Sequence, residues 1–301
     1  MNIAEFMQVM EGIAPQETAE PWDNPGLLAG DPEAELNGVL VCVDATHAAL
    51  DAAEQCGANL ILSHHPLMFH GVKSLRQDGY EGAVLSRLLR ENRALFAAHT
   101  NLDKAEGGVN DCLVRALGFY GSERPEDYLR LCDLSPRKAG EMLDRVRKTI
   151  SPQAVFYGKT DRWISRAAVS CGAGGEFAAQ AAALGAELFI TGEMKHNERI
   201  EAQGLGMSVL LLGHGESESP VLEPLAQRLR EKAQRAYEEN AFRRHIMIES
   251  ELDAASVNLR FAQQLLRLEP YGSGNPQPVF MMEDVEIEEV LSLANERNLR
   301  F

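Results

Sequence analysis

Residues 57–66 read GANLILSHHP, a short β-rich run opened by Gly57 and Asn59, closed by Pro66, and apolar rather than alternating. A strand with no polar face is one covered on both sides. NGVLVCVDAT (37–46) precedes it and ALFAAHTNLD (94–103) follows, each of the same kind. Between and after them lie helix-like stretches, AALDAAEQCG (48–57), EGAVLSRLLREN (81–92) and GVNDCLVRALG (108–118). The scheme returns in RAAVSCGAGG (166–175), AELFITGEM (186–194) and MSVLLLGHGE (207–216), with EFAAQAAALGA and PVLEPLAQRLREKAQRAYEE as helices. Apolar strands alternating with helices predict an α/β fold with mixed or largely parallel sheets covered by helices.

Two breaks divide the chain. YGSERPEDYLRLCDLSPRK (120–138) is polar and turn-rich, and EMLDRVRKT (141–149) reads as a short helix. The expected layout is a first α/β lobe over 1–125, a connection over 126–165, a second lobe over 166–240 and an atypical tail over 241–301. The tail carries a Gly/Pro/Asn cluster at 272–278 and does not continue the earlier pattern.

The 301 residues are 45% apolar and 25% charged, the mix of a soluble globular chain. Twenty-nine basic residues against 45 acidic ones leave a net charge of −16, which argues against a protein that coats nucleic acid or an anionic membrane. No run is apolar enough to span a bilayer, and the acidic N-terminal stretch is unlike a signal peptide, so the expected location is cytoplasmic. Cys42, Cys56, Cys112, Cys132 and Cys171 are odd in number and unpaired in spacing, which predicts reduced thiols.

Three of the apolar runs end in ligand-type residues: Ser63-His64-His65-Pro66, then His99 to Asp103, then Gly213-His214 to Glu218. Ligands of open α/β sheets bind at the carboxyl ends of strands. The pattern therefore predicts three strands delivering these side chains to one edge of one sheet. Adjacent residues leaving a strand point to opposite sides, which suits His64 and His65 to one ion each of a neighbouring pair. His214 and Glu218 are four apart and share a face if a helix starts there, where the carboxylate can bridge two ions; Asp103 supplies another oxygen. Three imidazoles with two carboxylates suit two divalent ions such as Zn, Mn, Fe, Co or Ni rather than Ca or Mg alone. Singly, each group also has an ordinary structural role as a core histidine, an Asx turn or a helix-start acid. The glycines of CGAGGEF (171–177) leave two readings open, a phosphate cradle or a tight strand-to-helix turn.

Taken together, WDNPGLLAGDP (22–32), VDAT (43–46), ILSHHPLMFHGVKSL (61–75), AAHTNLDKAEGGVND (97–111), ITGEMKHNERIEAQGLG (190–206) and LLGHGESE (211–218) resemble the NIF-three-like dinuclear metal-centre proteins, the GTP cyclohydrolase I type 2 homologues. The resemblance runs in order over about residues 1–240. It implies metal ligands at His64, His65, Asp103, His214 and Glu218, with His99 beside the site as a catalytic group and Lys195 and His196 near its mouth. It implies a two-lobed α/β fold without the inserted domain of longer members, assembled as a toroidal homohexamer. It also implies a metal-dependent hydrolase of GTP or a related purine nucleotide; the alternative is a non-enzymatic metal-binding scaffold or regulatory protein. The tail, SELDAASVNLRFAQQLLRLEPYGSGNPQPVFMMEDVEI (250–287), resembles a fragment of RecJ-type single-strand exonucleases. The DHH motif those enzymes need is missing, so nucleic acid is not the expected substrate.

Overall fold

The structure, a computed structural model, describes residues 1–72, 74–241, 249–253, 256–269, 277–283, 291–293 and 298–300. Met1–Ala233 form one compact unit and Gln234–Phe301 a second. Helix α1 (Ile3–Glu11) opens the first, its free amides met by a reciprocal box between Asn2 and Glu5. Strands β1 (Gly26–Ala29), β2 (Val39–Cys42), β3 (Leu60–Ser63) and β4 (Ala94–Ala97) make a sheet in the order β1-β4-β3-β2. The last three run parallel and β1 is antiparallel to β4.

Helix α2 (His47–Cys56) connects β2 to β3. Thr46 caps its start, and Gly57 ends it in the left-handed conformation at φ 71°. Helix α3 (Tyr80–Arg90) connects β3 to β4, after which come α4 (Thr100–Lys104) and α5 (Val109–Ala116). The uninterrupted apolar reading of β3 has a direct cause. Leu60 and Leu62 pack against Ile3, Phe6 and Met10 of α1, while Ile61 packs against Leu50, Ala53, Val84 and Leu88 of α2 and α3.

The second sheet holds β5 (Glu123–Glu126), β6 (Leu129–Lys138), β7 (Val155–Tyr157), β8 (Trp163–Ser170), β9 (Leu188–Thr191) and β10 (Ser208–Leu211), in the order β5-β6-β8-β9-β10-β7. Its centre, β8-β9-β10, is parallel, and the remaining pairings are antiparallel. Helices α6 (Ala139–Thr149), α7 (Ala178–Ala183) and α8 (His196–Gly204) cover it. Strand β9 repeats the logic of β3: Leu188 and Ile190 join the α6 side, and Phe189 joins Ala178, Ala181 and Ala202. The segment 126–165 is therefore more than a connection, because it holds β6 and the edge strand β7 of this sheet.

Helices α9 (His214–Glu218) and α10 (Leu222–Ala241) follow β10. Val221 and Leu225 pack into the cluster of α1, β3 and β4, which fastens the end of the second sheet's chain to the first sheet. In the second unit β11 (Ser250–Glu251) pairs in parallel with β12 (Phe280–Met281), α11 (Leu259–Leu265) lies between them in sequence, and β13 (Leu291–Leu293) pairs with β14 (Asn298–Arg300). Most of the 272–278 cluster lies outside the described residues. Among the described residues, no helix is long and apolar enough to cross a membrane.

Candidate metal centre

The backbone past β3 stays extended. The His64 amide donates to the Cys42 carbonyl and the His65 amide to Val43, so both histidines leave the sheet on a fixed chain. Strand β4 ends beside them, and His99 begins the turn into α4, its amide held by Asn101 Oδ1 at 2.9 Å. Asp103 stands one turn along that helix. From the other sheet, Gly213 (φ 95°) turns the chain out of β10 into α9, which carries His214 and Glu218 on one face. The expected single sheet edge is thus two edges, because β3 and β4 belong to one sheet and β10 to the other.

Glu218 is the hub. Its side chain is 4% exposed; Oε1 lies 3.1 Å from His214 Nε2 and 3.6 Å from His64 Nε2, and Oε2 lies 3.2 Å from His65 Nε2. Asp103 Oδ1 is 3.7 Å from His64 Nε2. His64 and His65 approach opposite oxygens of one carboxylate, their ring centroids 5.0 Å apart. Among the described residues, two groups bring donor atoms within 4.8 Å of one another, His64 with His65 and His99, and His65 with His214 and Glu218. The structure brings together all six predicted site residues. Lys195 and His196 stand exposed at the start of α8, paired with Glu198 and Arg199, and neither lines the cavity.

The far nitrogen of each ring is tied down. His64 Nδ1 donates to the Ala98 carbonyl at 2.9 Å, His65 Nδ1 to Asp44 at 2.9 Å, and His99 Nδ1 to Asp23 at 2.8 Å. His214 Nδ1 lies 3.4 Å from Glu193. Each partner is an acceptor, so the proton sits on Nδ1 and the Nε2 lone pair is left for the centre, the arrangement that orients metal-binding histidines. Asp23, Asp44 and Glu193 were not singled out by the sequence reading, although all three lie inside the stretches quoted there.

Electrostatics agree with a site built around charge. Burial works to raise the Glu218 carboxyl, but the imidazoles of His214, His64 and His65 around it outweigh that and hold it far below the usual range. Burial raises Asp103, with Glu218's charge adding to it against His64. The Glu218 carboxylate beside it lifts His214 to about 9. Burial also raises Asp23, yet hydrogen bonds from His99 and Thr100 prevail and leave it at about 2. Burial pushes the Cys171 thiol well up, which counts against a nucleophilic role.

The glycine loop settles as a close turn. At Gly172 (φ +57°) a Cβ would meet Glu218 Oε1 at 2.6 Å, and at Gly175 one would run into Glu198 Oε2. With two carboxylates against it, this loop is no phosphate cradle. It lines, with the histidines, a cavity of about 1200 Å³.

Residues 1–249 match the family model described as Duf34/NIF3 (NGG1p interacting factor 3). The chain belongs to the Duf34/NIF3 family. A Clostridium perfringens relative named GTP cyclohydrolase 1 type 2 homolog is 31% identical over 242 residues, 77% of this chain and 92% of its own. One of the same name from Clostridium acetobutylicum is 28% identical over 240 residues, 76% and 90% of the two chains. Among solved structures, Staphylococcus aureus hypothetical protein SA1388 superposes with a TM-score of 0.72 at 26% identity, over 77% of this Duf34/NIF3 chain and 93% of that one. The Bacillus cereus protein related to NIF3 superposes at 0.73 with 21% identity over 78% and 94%, a likeness of fold. Residues 248–301 match a RecJ OB domain model, so the tail after the NIF3 region is a second recognisable piece.

Proposed function

We propose that this NIF3-family chain holds two divalent ions between its sheets and hydrolyses GTP or a related purine nucleotide. The carrying observation is the buried Glu218 carboxylate with three imidazole nitrogens around it, each imidazole locked from behind. The residues fit such ions. His64 Nε2 and Glu218 Oε2 are buried with no hydrogen-bond partner, an arrangement that is costly unless something else satisfies them. In this reading His64, Asp103 and Glu218 would hold one ion, and His65, His214 and Glu218 the other. Mixed imidazole and carboxylate donors favour Zn, Mn, Fe, Co or Ni. Bound there, the ions supply Lewis-acid polarisation of the substrate and lower the pKa of water.

The chain's own residues do the rest. Asp23 keeps His99 in the tautomer whose Nε2 can accept a proton, and His99 is the general base or relay at that atom. Trp22 and Phe69 flank it and screen it from bulk water. We place the working protein in the cytoplasm, on its acidic N-terminal stretch and unpaired cysteines, and as a homohexamer, on the family resemblance; light scattering that gives a monomer at micromolar concentration would overturn the assembly.

The test of function is elemental analysis of the purified protein, followed by a hydrolysis screen with each metal restored. Turnover of a purine compound that is lost in Glu218→Gln supports the hydrolase. Metal retention without turnover of any nucleotide or nucleoside favours the non-enzymatic scaffold.

A further inference from the structure

Asp103 follows a strand of one sheet, and His214 and Glu218 follow a strand of the other, so the two halves of the centre need something to hold them in register. Asn110, the second residue of α5, is 1% exposed and reaches both halves. Its Nδ2 donates to the Asp103 carbonyl at 3.3 Å, and its Oδ1 accepts the Cys171 amide at 2.9 Å. The next amide, that of Gly172, donates to Ser217 Oγ at 2.9 Å, and this hydroxyl donates to the His214 carbonyl at 2.7 Å. Ser217 is fully buried and lies between His214 and Glu218 along α9. A buried path of hydrogen bonds therefore runs from a metal-binding residue of the first lobe to two of the second. Asp103 presents a carbonyl and Cys171 an N–H, and an amide side chain has the one donor and one acceptor that match both; an aspartate or leucine of similar size satisfies one at most. The bond to Asp103 alone would be an ordinary cap on the end of α4. The second bond, to a residue 61 positions away in the other lobe, makes Asn110 a bridge.

We propose that Asn110, acting through Cys171, Gly172 and Ser217, is a positioning residue of the metal centre and fixes the spacing between Asp103 on one lobe and His214 with Glu218 on the other. The proposal rests on the two-ion part of the proposed function and not on hydrolysis. The neighbouring residue supplies the contrast. Asp111 also ties α5 to the second lobe, its Oδ1 accepting from Arg130 Nε of β6 at 2.5 Å. The other hydrogen bonds of that pair go to Gly107, Glu126, Asp127 and Leu129, none of them a candidate ligand.

The test compares the full-length parent with Asn110→Ala, Ser217→Ala, the double variant and Asp111→Asn. Zn²⁺ affinity is read by competition with a chromophoric chelator, and ligand geometry by the visible absorption of the Co²⁺-loaded protein. Asn110→Ala and Ser217→Ala should each bind Zn²⁺ about tenfold more weakly, the scale for loss of a group that orients a ligand, and should shift the Co²⁺ spectrum. The double variant should lose little more than the worse single one, because both interrupt one path. Asp111→Asn should unfold at lower urea in chelator yet keep the parent's affinity and spectrum. Unchanged affinity and spectrum in Asn110→Ala, losses no larger than those of Asp111→Asn, or a double variant whose losses add in full would each overturn the proposal. If Asn110→Ala does not fold, Ser217→Ala, which removes a single oxygen, carries the same decision. A parent that takes up no metal overturns this proposal and the metal centre together, whereas a parent that binds Zn²⁺ no better than the variants overturns this proposal alone. Turnover of a nucleotide, present or absent, bears only on the hydrolase.

Discussion

Glu218 is where single-residue tests have most to say, since one carboxylate faces three imidazoles. Glu218→Gln keeps the shape and removes the charge that both ions would share, so occupancy of both sites should fall. His64→Ala or His65→Ala should empty one site and leave the other partly filled, and Asp103→Asn should resemble a single loss. Metal-to-protein ratios after identical loading decide this; an unchanged ratio near two in Glu218→Gln would remove the bridging role. Asp23 gives a pH test. Its ordinary value of 3.8 falls to about 2 in the folded protein, so its stabilisation is complete above 3.8 and drains away as pH falls through 2. That difference is worth about 2 kcal/mol at neutral pH, with roughly half gone by pH 3. Urea unfolding in chelator should show Asp23→Asn weaker than the parent at pH 7, with the gap narrowing by pH 3; a constant gap would show that the charge is not what matters. The six cluster residues were legible in sequence because all of them lie at or within a few residues of the ends of three apolar runs. Their partners were not: Asp44 lies 21 residues from His65, and Asp23 lies 76 from His99, distances at which spacing carries no signal.

At the level of elements, strands buried on both faces announced themselves and edge strands did not. Leu60 to Ser63 and Leu188 to Thr191 are wholly buried, so periodicity found β3 and β9. All four residues of β5 are exposed, and β6 is buried only over Leu129–Cys132 before turning outward, so a polar, turn-like stretch concealed two strands. β5 is an edge strand, with one ladder from its neighbour and a sequence free to be polar, and β6 beside it is buried only in its first four residues. The turns make a paired prediction. Gly57 and Gly172 both have positive φ, but a Cβ at Gly57 meets nothing within 4 Å, whereas one at Gly172 runs into Glu218. Gly57→Ala should lose about 1 kcal/mol from backbone strain and keep its full metal content. Gly172→Ala should lose more stability and metal as well, because Oε1 has to move. Equal metal content in the two variants would show that the glycine loop does not set the position of Glu218.

Across the whole molecule, the candidate centre exists only where two sheets meet, and α9 is held there by packing as well as by sequence. Val221 and Leu225, just beyond α9, are buried with Ile3, Phe6 and Phe96 of the first sheet's core. Neither lobe therefore presents the whole cluster alone: His64, His65, His99 and Asp103 come from one, His214 and Glu218 from the other. The sequence reading found both lobes but assigned their ligands to a single sheet, since strand order cannot be read from runs that look alike. The unit that carries the centre is Met1–Ala233, and all four core clusters fall within it. A chain ended after Ala241, the last residue of α10, keeps every one of those contacts and each group around Glu218. It should be soluble, unfold in a single cooperative transition and bind metal at the ratio of the full chain. Calorimetry and elemental analysis of 1–241 beside the full protein are the check. If the shortened chain is insoluble, melts without a transition or holds no metal, the RecJ OB-like region completes the NIF3 fold and is no independent addition to it.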